Sequence, residues 1–582
     1  MVSTDQSGRS CLWEKRRWLF LAAPIAAVLG FTLVLPLAFN AYRSLFTGSL
    51  SQPYGIFCGL QNYGELLSDN RFWKSISKGL FYAGGSSVLQ VGLAFVAAVG
   101  LRQMSRLSAA ARCLCLVPVL VPPAATVAVF RMLFDSTFGP LAHLYEAIFG
   151  TKPNVFGEDS LLLTGSVLTA FQFFPLSFLL LSERIRLIPA SLYQRGKLDG
   201  LGPWNTLRVI TIPEITPLIV ALFALRFCLT FGKFDVLYFL GGTSALSSSI
   251  ESMPLYVYRV GLTQGKLGLG AAASSLVLVL VLIGLVLVYL FKSIVPAMQA
   301  VRLKQRSATP RFIIMRRSQG LVAKLGGLTG LVAVFTAILV PTLAVLYGSL
   351  SVRFPSGNID LTLENYHALF TRFDFARCLL NSLEATFIAT FVILLVCVPF
   401  SFLIWVYRFP GSSLCHPFAI ASYCLPPILL AYGFQSVAAS FAMLGTPLGV
   451  SAGLIGFALP LAAIVLTTFG NDHPVTHPSE SASEAISVKR YFVRVFLPNR
   501  IGAICMAAAL IFAACWSDYL FASIIGGAQF RTAVVGFQDI FQGAVIPWGI
   551  LMAAALVLAV PTAIASLVVE FVLKRRTHEL GI

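Results

Sequence analysis

Long apolar runs separated by short polar islands organise the whole chain. They fall at about 18–40, 80–101, 112–135, 160–182, 214–240 and 268–291, then at about 325–349, 380–406, 417–443, 448–469, 501–524 and 547–573. Each is long enough to cross the hydrocarbon core of a bilayer as a helix. The pattern predicts an all-α polytopic membrane protein of about 12 transmembrane helices, grouped as two sets of six. The first run, "WLFLAAPIAAVLGFTLVLPLAF", is too long for a signal-peptide core and lacks a clear small-residue cleavage site, so it reads as a retained helix.

The polar islands orient these helices. Lys15-Arg16-Arg17, then Arg102, Arg106 and Arg112, then Arg184, Arg186, Arg195 and Lys197 occupy the N-terminus and every second loop. Basic residues favour the cytoplasmic side, so both termini are expected there. The stretch from Lys292 to Lys324 carries eight basic and no acidic residues, which makes it a cytoplasmic tether along anionic membrane lipid. The expected division is a first half at 1–292, the tether at 293–324 and a second half at 325–582.

The halves share local text. "GLQNYGELL" at 59–67 answers "LTLENYHALF" at 361–370, and "VITIP" ending at Pro213 answers "RVFLP" ending at Pro498. Because six is even, both halves enter and leave on one side, so an axis along the membrane normal relates them.

Charge and cysteine usage narrow the classes. The formal charge is +18, but its Lys and Arg flank apolar runs, where topology demands them, which argues against nucleic-acid binding. The eleven cysteines lie mostly singly within apolar runs, with no CxxC, and read as core-filling thiols. His473 and His477 share a loop with Asp472 and Glu480, a poor set for a metal, and neither metal nor cofactor is expected. There is no GxxxxGK[ST] phosphate loop and no nucleophile–base constellation, so the chain is expected to be neither an ATPase nor another enzyme.

One island is distinctive. In "ERIRLIPASLYQRGKLDGLGPWNTLRVITIPEITP", Pro189 suits a helix start, residues 190–198 make two to three turns, and Gly200 with Gly202-Pro203 is a stop signal. A second short helical stretch from Trp204 leads to Pro213. The product is a short helix held crosswise outside the membrane, bearing Arg195, Lys197 and Asp199. A partner protein is its natural receiver.

The spacing from Gln194-Arg195-Gly196 through three residues to Gly200, then nine more to Ile210-x-Ile212-Pro213, resembles the cytoplasmic loop of ABC importer permeases, with the pattern EAA-x3-G-x9-I-x-L-P. Asp199-Gly200 matches a frequent Asp-Gly there, whereas Gln194, Arg195 and Gly196 depart from Glu-Ala-Ala. The resemblance implies that the loop at about 183–213 docks into a groove on a separate ATPase subunit. A second loop at about 470–498 keeps the register in eroded form: Ser479-Glu480-Ser481 for the triplet, Ala485 for the Gly, and Val495-Phe496-Leu497-Pro498 for the ending. The two docking sites are expected to be unequal.

More of the chain is similar to the carbohydrate-uptake permeases of the maltose and glycerol-phosphate type. Arg226, Phe234-Asp235, Gly241-Gly242 and Pro254-Leu255-Tyr256-Val257-Tyr258 follow in that branch's order. "CWSDYLFAS" looks like its Trp-Asn-Asp/Glu-Phe-Leu with Ser517 for Asn, and "WGILMAAALVLAVPT", Asn62-Tyr63, Asn365-Tyr366 and "NSLEAT" fit as well. The resemblance implies two permease subunits fused in one chain, two copies of an ABC ATPase, an extracytoplasmic solute-binding protein, a sugar or sugar-like small molecule as substrate, and a place in the bacterial cytoplasmic (inner) membrane.

Within the apolar runs, Arg131, Arg226, Lys233, Asp235 and Asp518 are costly in lipid and should face helix interfaces, wet cavities or the membrane boundary. Arg226 is the deepest, with Asp235 or Asp518 as candidate partners. A sugar needs stacking faces and hydrogen-bond groups. Gln172 among Phe171, Phe173 and Phe174, and Ser517-Asp518 between Trp516 and Tyr519, offer both. The proline doublets Pro122-Pro123 and Pro426-Pro427 predict paired bends in the third helix of each half. A twelve-helix ion-coupled secondary carrier, a non-transporting scaffold and an iron or thiamine permease are the alternative readings; the docking spacing separates the importers from the first.

Overall fold

A computed structural model of the chain describes residues 23–49 except 25, 55–102, 114–137 except 120, 139–241, 249–286 except 285, 320–353, 359–407, 412–468, 488–543 and 545–579. The helices are α1 (Ala26–Arg43), α2 (Gln61–Ser68), α3 (Asn70–Arg102), α4 (Pro123–Leu133), α5 (Pro140–Phe149), α6 (Leu161–Arg186), α7 (Ala190–Leu198), α8 (Pro203–Phe231), α9 (Asp235–Gly241), α10 (Met253–Tyr258) and α11 (Leu267–Gly284). Then follow α12 (Gly320–Leu350), the two-stranded hairpin β1 (Ser351–Arg353) and β2 (Ile359–Leu361), α13 (Glu364–Arg372), α14 (Phe375–Tyr407), α15 (Ser412–Tyr423), α16 (Pro427–Ser440), α17 (Pro447–Thr468), α18 (Phe492–Trp516), α19 (Ala533–Phe541) and α20 (Trp548–Glu579).

Ten of these helices are long and apolar enough to span a membrane. The two remaining expected spans are the third of each set, and both are broken where the sequence places a proline doublet. In the second set, α15 and α16 meet at 90° around Pro426-Pro427. In the first, helix at 114–119 stops short of Pro122 and α4 begins at Pro123. Proline lacks the N–H for the helical ladder and clashes with the preceding turn, so a doublet ends one helix and starts the next.

A correction concerns the fifth spans. The expected single helices at 214–240 and 501–524 stop at Phe231 and Trp516, and the chain turns before resuming at α9 and at the π-turn Ala522–Gly526. The apolar text is continuous across these breaks, so hydropathy alone does not mark them. What fixes the first is packing: a Cβ on Gly232 would come 3.0 Å from Pro426 Cα, so the turn is pressed against the other set's proline doublet.

The repeat suggested by the text recurs in the structure. A constant shift of 285 residues carries the turn Pro203–Thr206 onto Val488–Tyr491, the π-turn Leu207–Thr211 onto Phe492–Phe496, and the helix Ile212–Phe231 onto Leu497–Trp516. α3 and α14 are both 33 residues long.

The two sets are interlocked. α1 packs along α16, and α12 packs between α3 and α20. Between the sets, Tyr432 Oη of α16 donates to the Leu267 carbonyl at 2.8 Å, while within the first set buried Asn40 of α1 hydrogen-bonds Ser274 of α11. One continuous buried cluster runs from Leu33 to Leu558, so residues of both sets share a core.

Candidate functional site

Two regions carry the candidate residues, one where α6 ends and α8 begins, the other where α8 ends, against Phe173 midway along α6. At one end, Pro189 precedes α7, and Gly200 lies beyond its last turn with φ +72°. Leu201 N–H donates to Gly196 O at 2.8 Å and Gly200 N–H to Lys197 O at 3.1 Å, the paired bonds of a helix end that needs a left-handed residue. Gly196 is the buried residue of the predicted triplet: a Cβ there would sit 2.9 Å from Ile210 Cδ1. Gln194, Arg195 and Asp199 point outward, while Tyr193 Oη bonds Thr211 Oγ1 and ties the short helix to the π-turn before Pro213. Exposed Leu187, Leu198 and Trp204 surround it, with Leu198 87% exposed.

The second loop is only partly described. Ser479, Glu480, Ser481 and Ala485 lie outside the described residues, as do His473 and His477, the basic residues 15–17, 106 and 112, and residues 293–319 of the tether. Val495 and Pro498 sit in and just after the π-turn that answers the first loop's. Here Arg500 occupies the place that Ile215 holds in the first set. Its guanidinium lies 4.4 Å from the Trp405 ring centroid and 5.6 Å from that of Phe496. The foundations of the two loops therefore differ in chemistry.

At the other end, the turns after α8 and α18 meet. The shift of 285 residues that relates the helices pairs Lys233 with Asp518 and Phe234 with Tyr519. Lys233 Nζ lies over the Phe173 ring, 3.5 Å from its centroid, and makes no ion pair with Asp235 among the described residues. Asp518 Oδ2 accepts the N–H groups of Phe521 at 2.9 Å and Ala522 at 3.2 Å, capping the following helical turn. Tyr519 Oη donates to Tyr238 Oη at 3.2 Å, and the rings stack 5.3 Å apart. Phe234 stacks on Tyr238, and Tyr258 closes the cluster.

The remaining candidates are deployed otherwise. Arg226 is buried and donates from Nε to Ser177 Oγ at 3.3 Å; neither Asp235 nor Asp518 is its ion-pair partner, which corrects that expectation. Gln172 turns to the broken third helix, where Nε2 donates to Pro118 O at 2.8 Å and to Val121 O, carbonyls released by the proline doublet. Trp516 Nε1 donates to Leu558 O of α20 at 2.8 Å and is fully buried, while Ser517 lies beside Asp518 at the turn. Arg131 reaches from α4 to Leu240 O, with its guanidinium between the rings of Phe156 and Phe541.

Sequence reasoning missed how this end is held. Buried Glu251 accepts Arg71 Nε and Arg259 Nε, each at 2.5 Å, and Tyr256 Oη donates to Asp69 Oδ2 at 2.6 Å. These contacts fix α10 and the residues that flank it to the start of α3. The tyrosine of the branch-like Pro-x-Tyr-x-Tyr was the available signal, but its partner lies 187 residues away.

Comparison with known proteins finds matches to part of the chain. Residues 90–299 match the family described as "Binding-protein-dependent transport system inner membrane component". The chain is 28% identical over 267 residues to the inner membrane ABC transporter permease protein YcjO of Escherichia coli K12, covering 44% of this chain and 86% of that one. It is 26% identical over 263 residues to the trehalose/maltose transport system permease protein MalF of Thermococcus litoralis, covering 44% and 88%. Against the maltose/maltodextrin permease MalF of Klebsiella aerogenes the figures are 29% over 255 residues, 40% and 48%. A chain of the bacterial alginate ABC transporter, solved in complex with an alginate pentasaccharide-bound periplasmic protein, aligns with TM-score 0.41 at 18% identity, over 48% of this chain and 98% of that one.

Proposed function

We propose, from the match of residues 90–299 to the binding-protein-dependent transport permeases, that the chain is the entire membrane pathway of an ABC importer for a sugar or sugar-like solute. In this reading two permease halves, 1–292 and 325–582, are joined by the basic tether at 293–324, and both termini are cytoplasmic. Two copies of a separate ATPase supply the energy, and an extracytoplasmic binding protein delivers the solute. The observation that carries it is the docking helix: α7, the left-handed Gly200, the π-turn and Pro213 form a short element tied together by Tyr193 and carrying exposed apolar side chains, as a partner's groove requires.

The coupling follows from how that element is built. α7 is bonded through Tyr193 to the π-turn that opens α8, and α8 runs without interruption to Phe231, beside Lys233 and Asp235. A displacement of α7 by a closing ATPase pair is thus passed along one helix to the aromatic turn between the halves. There Lys233, Asp235, Ser517 and Asp518 supply charge and hydrogen bonds, with buried Arg226 deeper in α8. Phe173, Tyr238 and Tyr519 supply ring faces for a sugar's C–H surface. Parting of Tyr238 from Tyr519 opens the pathway. The second loop, with its eroded register and its Arg500–Trp405 foundation, engages its ATPase less tightly.

The reading is tested by purifying the tagged chain in mild detergent, identifying the accompanying subunits and assaying ATP hydrolysis with candidate binding proteins. An ABC ATPase stimulated by a sugar-loaded binding protein is the expected result. A chain free of ATPase that accumulates solute in vesicles on an ion gradient would overturn it.

A further inference from the structure

The excursion between α4 and α6 carries a helix for which the importer reading has no use. α5 reads "PLAHLYEAIF", with Pro140 at its first position and left-handed Gly150 at its end. Leu141, Leu144, Tyr145, Ile148 and Phe149 recur at helical spacing and form one apolar stripe, with His143 and Glu146 on the other side. The protein buries only Ala142 of this helix. Leu144 is 55% exposed, Ile148 64% and Phe149 63%, and the Tyr145 and Phe149 rings pack against each other, 4.5 Å apart.

Three observations say what covers the stripe. First, α5 lies between the end of α4 and the start of α6, and therefore at the membrane boundary, at the end of α6 opposite α7. Second, the excursion is pinned there: Lys152 Nζ donates to Ser136 O at 3.0 Å, and Thr164 Oγ1 of α6 donates to Val155 O at 2.6 Å. Third, the first turns of α6 present Leu163 and Val167 outward, on a helix that spans the membrane, so the lipid-facing belt reaches the level of the excursion. An amphipathic helix at that height buries its apolar face in the acyl boundary and leaves its polar face in water.

We propose that α5 is an interfacial anchor whose occupant is the bilayer leaflet on the side away from α7. It is also one-sided. The second set joins α16 to α17 through Phe441–Thr446 alone, with no counterpart helix. One half is therefore fastened to the membrane surface while its partner turns without that attachment.

The test places a benzophenone amino acid at position 148, at 143 on the polar face, and at 163 on α6 as the lipid-facing control. Each variant of the full chain, with its accompanying subunits, is reconstituted in phosphatidylethanolamine–phosphatidylglycerol vesicles containing a labelled lipid, then irradiated. The expected result is a lipid adduct at 148 comparable to that at 163 and at least tenfold above that at 143. An adduct at 163 with none at 148 above the level of 143 would overturn the proposal. So would an adduct at 148 to a second copy or to an added binding protein in place of lipid.

Discussion

Asn62 and Asn365 make the same pair of bonds in the two halves. Asn62 Nδ2 donates to the carbonyls of Ser44 and Phe46, and Asn365 Nδ2 to those of Ser349 and Ser351. The tyrosine after each asparagine hydrogen-bonds the side chain of the first of those serines, Tyr63 with Ser44 and Tyr366 with Ser349. Both locks close the first spanning helix of a set onto the helix that follows it outside the membrane. Removing either amide leaves buried carbonyls without donors, at a cost of about 1–3 kcal/mol. Asn62→Ala and Asn365→Ala should therefore lower the unfolding temperature in detergent by similar amounts, and a loss confined to one of them would contradict the equivalence.

Gly196 sits where a side chain would strike Ile210. Gly196→Val should displace α7 from the π-turn and weaken ATPase association at least tenfold, about 1.4 kcal/mol in binding. The contact lies at the edge of the buried cluster that Tyr193 and Ile210 share with α3, α6 and α8, so the unfolding temperature should fall by only a few degrees. Pull-down of the ATPase against the variant reads the effect.

Lys233 over Phe173 is the cation at the aromatic turn of the proposed pathway. A cation held over an aromatic face is stabilised by about 0.5–2 kcal/mol. Lys233→Met keeps the length of the side chain and removes the charge. Uptake into proteoliposomes should fall severalfold through a raised KM for the solute, while the bound ATPase and its basal hydrolysis remain. An unchanged KM would place the pathway elsewhere.

Gln172 serves the broken third helix, so its replacement should act on stability. Gln172→Leu strands the Pro118 and Val121 carbonyls in a buried setting, at about 1–3 kcal/mol. The expected outcome is a lowered unfolding temperature with the KM for uptake unchanged. A raised KM at unchanged stability would return Gln172 to the solute.

Much of this was written locally in the sequence. Pro189 and Gly200 bound α7 where their backbone chemistry demands, and the expected helix at 190–198 has the bounds observed. The proline doublets mark real breaks, because a missing N–H is a local fact. What was illegible depends on distant partners. The turns at 232–234 and 517–519 lie in apolar text and are set by packing against the opposite half. Tyr519 finds Tyr238 across 281 residues, and Arg226 settles on Ser177 where charge alone suggested a carboxylate. Helix α5 escaped notice because its stripe is too short to read as a span.

The central claim is that one chain supplies both halves of an ABC importer's pathway, and the stoichiometry of the intact complex tests it most directly. Native mass spectrometry of the assembly released from the membrane should give one copy of this chain with two ATPase subunits. An assembly with two copies of the chain around one ATPase pair, or a chain without any ATPase, would contradict it.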